Sequence, residues 1–450
     1  MTGIGAGRFV ERLRRVGFRP DEARRRADLF ERVAAACGAG GDRAWRFDHV
    51  PGRIEVLGKH TDYAGGRSLV CATEQGFAVA IGARDDRWIG IEDVARGERR
   101  EFPIRPDLEP PRGEWINYPM TVAARLARDF GSELRGVDLV LASDLPIAAG
   151  VSSSSALVVA VARALIDRNQ LAATPAFRRE FATAEALAGY FGAVENGRPF
   201  RGFGAATGVG TMGGSQDQTA ILCSRPDALS QFRFDPVRFE QAVAWPESLE
   251  FVIASSGVVA EKTGAALEHY NALARETALL RDFLVEPGDA DTTLGRAIID
   301  PADPGPALAA ARGRIGAHPD GALRARLEAR LVQLVAECRT IIPGVAASLG
   351  RGDLGVVGTL VAASQAGAEV GLRNQVPETA ALVGSALRLG ARAASAFGAG
   401  FGGSVWAMIP ADRAESFAAA WEVDYRAAFP DQLEARFFRT RPALPATRLD

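Results

Sequence analysis

Pro51-Gly52-Arg53-Ile54-Glu55-Val56-Leu57-Gly58-Lys59-His60-Thr61-Asp62-Tyr63-Ala64-Gly65-Gly66 is the stretch on which the reading of this chain turns. It brings an Arg, a Glu, a Lys, a His and an Asp together between glycines at both ends. Segments of this kind let backbone and charged side chains approach a small polar ligand closely. Charge and glycine content alone describe a polar loop between two strands; the order of the residues says more.

Upstream, residues 8–37 carry apolar residues at helical spacing, Phe9, Leu13 and Val16, then Leu29, Phe30 and Val33. Pro20 divides the stretch into two helices, and Gly38 to Gly41 ends it. From Trp45 to Phe102 the pattern is that of strands, with runs at Ser68–Ala72, Phe77–Ala83 and Trp88–Glu92. Trp115-Ile116-Asn117-Tyr118 then leads into a helix through Val122, Leu126 and Phe130. Val137–Ala142 reads as a buried strand.

A second chemical stretch follows at Asp144-Leu145-Pro146-Ile147-Ala148-Ala149-Gly150-Val151-Ser152-Ser153-Ser154-Ser155-Ala156, opening a helix that runs to about Asn169. A helix N-terminus offers unpaired N–H groups and the positive end of its dipole, so phosphate binds there readily. Capping needs one Ser, and this run supplies more. It is no Walker loop, since no Lys follows. A helix carrying Glu185 and ending near Glu195 leads into a glycine-rich segment, 196–214, and then Ser215-Gln216-Asp217-Gln218. Leu249–Ala254 reads as a strand, Glu261–Phe283 as a helix, and 286–305 as an acidic, Pro-rich surface loop. Helices are expected at 321–341, 353–369 and 377–389. Near the end stands Gly398-Ala399-Gly400-Phe401-Gly402-Gly403-Ser404, close to a dinucleotide fingerprint. That fingerprint needs a strand before and a helix after, and here the pattern predicts a helix before and a strand, Val405–Ile409, after.

Composition bounds the function. At 450 residues, 47% hydrophobic and 24% charged, the chain can bury an ample core in two or three domains. A net charge of −2 offers no basic footprint for nucleic acid. The basic residues are Arg except for Lys59 and Lys262, so a Lys in the key stretch is not background. Four scattered cysteines form no C-x-x-C and fit a reducing cytoplasm. The longest apolar run, Ala156 to Ile166, is too short to span a bilayer, and the N-terminus shows no signal pattern.

P-G-R-x-x-x-x-G-x-H-T-D-Y-x-G-G closely resembles the sugar-recognition motif of galactokinases, members of the GHMP small-molecule kinase superfamily. The serine stretch resembles that family's P-x-G-x-G-L-S-S-S-A phosphate loop, with Ala148, Val151 and Ser155 as departures. The Asp-Gln pair after the Gly-rich segment resembles its G-x-x-D-Q, and 398–403 its G-A-G-F-G-G. Tyr270-Asn271 and Pro377-Glu378 match smaller family pairs, whereas Ser364-Gln365 stands where Ser-His is common.

The resemblance implies a two-domain α+β kinase, with a ribosomal protein S5 domain 2-like N-terminal domain (1–245) and a ferredoxin-like C-terminal domain (246–450). It implies ATP with Mg²⁺ as cofactors and a sugar 1-kinase activity on galactose or a related hexose. The same fold also hosts non-catalytic sugar and ATP sensors, and retention of Asp217, Arg53 and the serines argues against that alternative. The implied catalytic residues are Asp217, to take or orient the proton of the sugar hydroxyl, and Arg53 beside it. Lys59, His60, Asp62, Gly214 and Tyr270 are implied at the sugar, although helical spacing alone reads Tyr270 as packing. Trp115, Gly150, Ser152, Ser153, Ser154, Gly400 and Gly402 are implied at ATP, with Trp115 equally readable as a core anchor. Ser154 and Glu195 are implied at Mg²⁺, with Glu185 the other candidate. The expected protein is cytoplasmic, binds no nucleic acid or membrane, and is a monomer or weak homodimer.

Two positions depart from the sugar motif. Lys59 stands where the family has Glu, and Glu55 where it commonly has Asn. A donor-only cation in place of an acceptor-only carboxylate inverts what can bind, so a uronic acid enters as a possible substrate.

Overall fold

The key stretch starts as a strand and ends as a tight turn. The computed structural model describes residues 6–38, 44–146, 150–258, 264–285 and 292–449. In it β1 (Trp45–Leu57) pairs antiparallel with β2 (Arg67–Ala83), and a short 3-10 turn, Asp62–Ala64, lies between them. The two strands expected within 68–83 are one. Gly76 keeps it continuous, because a Cβ there would collide with the backbone of Val50 and Pro51.

The remaining strands are β3 (Trp88–Asp93), β4 (Glu98–Pro103), β5 (Val137–Ser143), β6 (Ala228–Arg233), β7 (Arg238–Ala244), β8 (Leu249–Ser255), β9 (Ala393–Phe397), β10 (Ser404–Pro410), β11 (Arg436–Thr440) and β12 (Thr447–Arg448). Among the described residues they form two sheets. The first has eight strands in the order β12-β1-β2-β5-β3-β4, with β6 on β2 and β7 on β6; the second has the order β11-β8-β10-β9. In chain order that second sheet reads 4-1-3-2, all antiparallel, the arrangement of a split β-α-β-β-α-β unit. The chain passes between the sheets after β7, but β12 returns to pair with β1. The last residues therefore belong with the first sheet, not with the second half as the sequence boundary had it.

β1 is buried from Phe47 to Leu57, on both faces. On one face lie helices Ala6–Arg15 and Pro20–Cys37, packing Phe9, Leu13, Phe30 and Val33 against Phe47, Ala78 and Val140. On the other lies the main core, where helices Asn117–Phe130 and Ser153–Arg168 place Val122, Leu126, Val158 and Leu165 with Ile54 and Val56. The N-terminal helices are thus the cover of the sheet that carries the key stretch. A third helical layer, including Gly264–Leu284 and Gly321–Ala336, holds Leu280, Leu327 and Leu331 in a separate cluster. Among the described residues one helical run, Gly321–Gly350, is apolar and long enough to cross a membrane, yet 56% of its apolar 18-residue stretch is buried inside the fold.

Two expectations are corrected. The segment read as a surface loop at 286–305 contains the helix Leu294–Ile299, whose Leu294 and Ile298 are fully buried in that cluster; residues 286–291 lie outside the described ones. The Gly398–Ser404 run follows a strand, β9, not a helix. It is a hairpin between β9 and β10, and the strand after it is what separates it from a dinucleotide fingerprint.

His49 on β1 has a stability consequence. Its ring lies edge-on to Phe18 at 5.1 Å between centroids, and neither ring nitrogen has a hydrogen-bond partner among the described residues. Burial, helped by the Arg26 charge, pushes its pKa down to about 3. The unfolded chain binds the proton from about pH 6.5, so stability is lost as pH falls from there toward 3, by up to about 1.4 kcal/mol per pH unit. His49→Leu is expected to be at least as stable as the wild type at pH 7 and more stable by about 1–2 kcal/mol at pH 5. Urea melts at both pH values check it.

Candidate functional site

Arg53 and Asp217 meet at the start of the serine helix. Arg53 comes from β1, and its Nε donates to Asp217 Oδ1 at 2.7 Å. Asp217 sits in the first turn of helix Gln216–Cys223. Its other oxygen, Oδ2, accepts from Ser152 Oγ at 2.5 Å and Ser155 Oγ at 3.3 Å. Arg53 also donates to the carbonyl of Gly150, and its backbone N–H to that of Val151 at 3.2 Å. One guanidinium, 4% exposed, therefore ties the Asp217 carboxylate to the loop that opens helix Ser153–Arg168. Ser152 takes a left-handed backbone, φ 62°, and spends its hydroxyl on Asp217 instead of capping the helix. His60 (φ 58°) and Phe401 (φ 57°) share that conformation. Such residues persist where surrounding structure holds them, and functional sites are where they cluster.

Two cavities meet here. The larger, about 490 Å³, is lined by Trp115, Asn117, Gly150, Ser152, Ser153, Ser154, Gly400 and Gly402. All seven residues implied at ATP line it. Trp115 packs against the core, donates from Nε1 to Glu98 Oε2 at 3.3 Å, and also lines the cavity. The smaller cavity, about 50 Å³, is lined by Glu55, His60, Asp62, Glu195, Gly214, Asp217 and Tyr270, among others. Arg53 lines both.

Within the smaller cavity the sugar loop differs from its sequence reading. Lys59 does not line it. The side chain is 1% exposed and turns into the second half of the chain, where Nζ donates to Ser395 Oγ at 2.8 Å and Ser364 Oγ at 3.1 Å. Ser364 in turn donates to Glu337 Oε1 at 3.0 Å, which also accepts from the Gly58 N–H at 2.8 Å. Ser395 donates to Gln365 Oε1 at 3.0 Å. Burial pushes the Lys59 pKa down, and Glu337, Glu55 and Glu369 pull against that. The placement of Lys59 at the sugar is therefore withdrawn.

His60 lines the cavity, but both ring nitrogens are engaged. Nε2 faces the Ala399 carbonyl at 3.0 Å, which can only accept, so Nδ1 accepts from Tyr63 Oη at 2.8 Å. Burial, with Arg330 nearby, pushes its pKa down to about 3, consistent with a neutral ring. Asp62 Oδ2 accepts from the Gln216 N–H at 3.1 Å, and burial pushes its carboxyl up. Gly214 must lack a side chain, since a Cβ would run into the Asp62 carboxylate. Tyr270 stands 5.3 Å from the His60 ring and lines the cavity, so its position exceeds ordinary helix packing.

Of the two metal candidates, Glu195 is at the site and Glu185 is not among the lining residues. Glu195 Oε2 accepts from Ser155 Oγ at 2.9 Å and Gln218 Nε2 at 2.6 Å. The hydroxyl beside Glu195 is thus that of Ser155, whereas Ser154 lines the larger cavity. Among the described residues no group of three His, Cys, Asp or Glu side chains could hold a metal by itself.

Comparison with known proteins bears on the family and the fold. The galactokinase galactose-binding signature matches residues 41–83, the GHMP kinase N-terminal domain 117–198 and the GHMP kinase C-terminal domain 345–426. By these three matches the chain is galactokinase-like and carries both GHMP kinase domains. The galactokinase of Roseiflexus sp. (strain RS-1) is 29% identical over 82% of this chain and 84% of the relative. Those of Actinobacillus pleuropneumoniae serotype 5b (strain L20) and Chloroflexus aggregans (strain MD-66 / DSM 9485) are 33% and 38% identical, over 25% and 26% of this chain; both matches span 30% of the relative's length. Lactococcus lactis galactokinase complexed with galactose shares the fold, with a TM-score of 0.71 at 20% identity over 92% of this chain and 98% of that one.

Several residues around these cavities lay beyond sequence reasoning. Arg330, fully buried, donates to the His60 carbonyl, and Gln333 Nε2 approaches the Lys59 carbonyl at 3.5 Å. Together with Glu337 they clamp the sugar loop from helix Gly321–Ala336 and the π-helical turn Glu337–Ile341 that follows it. Asn196 and Asn271 staple the Gly-rich segment: Asn196 Oδ1 accepts from Thr211 Oγ1 at 2.7 Å and Gly213 N–H at 2.9 Å, and Asn271 Oδ1 from Met212 N–H at 2.9 Å. The Tyr270-Asn271 pair was the one signal that pointed there.

Proposed function

We propose that the protein is an ATP-dependent sugar kinase that phosphorylates a neutral hexose, galactose or a close relative, at the anomeric C1 hydroxyl. The contact between Arg53 and Asp217, at the junction of the phosphate cavity and the small polar cavity, carries this reading. The hydroxyl oxygen forms its bond to the γ-phosphorus, the bond to the β–γ bridging oxygen breaks, and the hydroxyl proton passes to Asp217. Arg53 and the N–H groups at the start of helix Ser153–Arg168 offset charge on the moving group. Glu195 and Ser155 are the residues that would hold Mg²⁺, which when bound neutralises phosphate charge.

A neutral sugar is preferred over a uronic acid because Lys59, the only ground for an anionic substrate, faces Ser364 and Ser395. The small cavity presents Glu55, Asp62, Glu195 and Asp217 instead. The test is a panel of hexoses and hexuronates with ATP and Mg²⁺, reading ADP release and the phosphorylated position by ³¹P NMR. Galactose or a close epimer is expected to give a 1-phosphate; ADP release that no hexose raises above the sugar-free rate overturns the reading.

A further inference from the structure

We infer that Glu55 is a specificity-determining residue of the sugar site, its carboxyl group hydrogen-bonding one ring hydroxyl of the hexose. The inference rests on the kinase reading above and adds a residue to it. Glu55 lies two positions after Arg53 on β1, so both side chains leave the strand on the same face. Arg53 reaches Asp217, and Glu55 lines the same small cavity. The residue is 2% exposed, and its Oε1 is buried with no hydrogen-bond partner among the described residues. A buried acceptor in that state is destabilising, and a ligand hydroxyl in the cavity would complete it.

The other expected sugar contacts leave room for this one. Lys59 points away, and both nitrogens of His60 are held by Tyr63 and Ala399. Burial pushes Glu55 up to about 8, with Lys59 and Arg53 opposing it and Asp62 and Glu337 reinforcing it. A protonated carboxyl donates one hydrogen bond and accepts others, which matches the two-way capacity of a sugar hydroxyl. The two departures from the sugar motif are therefore linked. The acid at 55 faces the substrate, and the cation at 59 sits behind it as an electrostatic neighbour.

The test is steady-state kinetics of the full chain with ATP and the hexose found active, comparing wild type, Glu55→Gln and Glu55→Ala. Glu55→Ala is expected to raise the sugar KM about tenfold or more, with the KM for ATP within about twofold. Glu55→Gln keeps a donor and an acceptor and is expected to stay within about fivefold of wild type. A panel of monodeoxy hexoses separates contact from structural support. The analogue that lacks the bonded hydroxyl is expected to lose about tenfold on wild type and nothing further on Glu55→Ala. If Glu55→Ala proves unstable in a melt, Glu55→Gln carries the comparison, with one deoxy penalty changed at least about threefold relative to wild type. An unchanged sugar KM, or deoxy penalties identical in wild type and variant, overturns the assignment while leaving the kinase intact. A wild type that turns over no hexose overturns the kinase reading itself.

Discussion

Asp217→Asn is expected to lower kcat by about 10²–10⁴ while leaving sugar and ATP binding close to wild type. The side chain keeps its shape and its Oδ1, so Arg53 Nε retains an acceptor, and the Ser152 hydroxyl can rotate to accept from the new amide. What is lost is the carboxylate that the proposed reaction uses to accept the hydroxyl proton. That group also supplies the negative charge facing a guanidinium that is 4% exposed. The loss corresponds to about 3–5 kcal/mol of transition-state stabilisation and falls on kcat, since an amide still hydrogen-bonds the hydroxyl but cannot take its proton. ADP release at saturating hexose and ATP, with isothermal titration of ATP as the binding control, measures it. A kcat within about tenfold of wild type would remove Asp217 from the chemistry.

The contrast between Asp217 and Lys59 shows what was legible in the sequence. Arg53, the serine stretch and Asp217 were assigned from motifs in the right order, and the structure brings them within hydrogen-bonding distance. Those contacts were recoverable because the backbone dictates them. β1 fixes the face Arg53 leaves from, and a helix N-terminus fixes where phosphate can lie. The direction of Lys59 is set otherwise, by Glu337, Ser364 and Ser395, which are remote in sequence and met only in the fold. Gln365, noted in the sequence only as a departure from Ser-His, holds Ser395 in that network. The motif identified position 59 as unusual, and tertiary packing decided what the unusual residue does. The same holds for Ser155, which read as a departure from the phosphate loop and touches both Glu195 and Asp217. It holds as well for the helix Leu294–Ile299, whose short buried face was masked by the acidic and Pro-rich composition around it.

Lys59→Glu, which restores the residue common in galactokinases, is expected to be among the most destabilising single changes in the chain. The wild-type ammonium donates to two serine hydroxyls that are themselves donating onward, to Glu337 and Gln365. Each serine proton is thus already committed, and a carboxylate at 59 meets oxygens that are acting as acceptors. It would also face Glu337 and Glu55, acids that pull on the Lys59 charge in the wild type. Breaking a buried pair by removing one partner costs about 3–5 kcal/mol, and here the substitution adds a like charge as well. Because Glu337 also holds the Gly58 N–H, the disturbance reaches the turn that positions His60 and Asp62. Stability and sugar KM should therefore worsen together, with an apparent Tm lower by at least about 5 °C. Lys59→Met removes the charge without inverting it and is expected to fall between the two. Pairing it with Glu337→Gln, which keeps an acceptor for Gly58 while discharging the partner, should recover part of the loss, a coupling that a double-mutant cycle resolves. A Lys59→Glu protein as stable as wild type, with normal sugar kinetics, would mean that the side chain at 59 does not enter the Ser364–Ser395–Glu337 network. Its expulsion from the sugar cavity, and the preference for a neutral substrate built on it, would then have to be reversed.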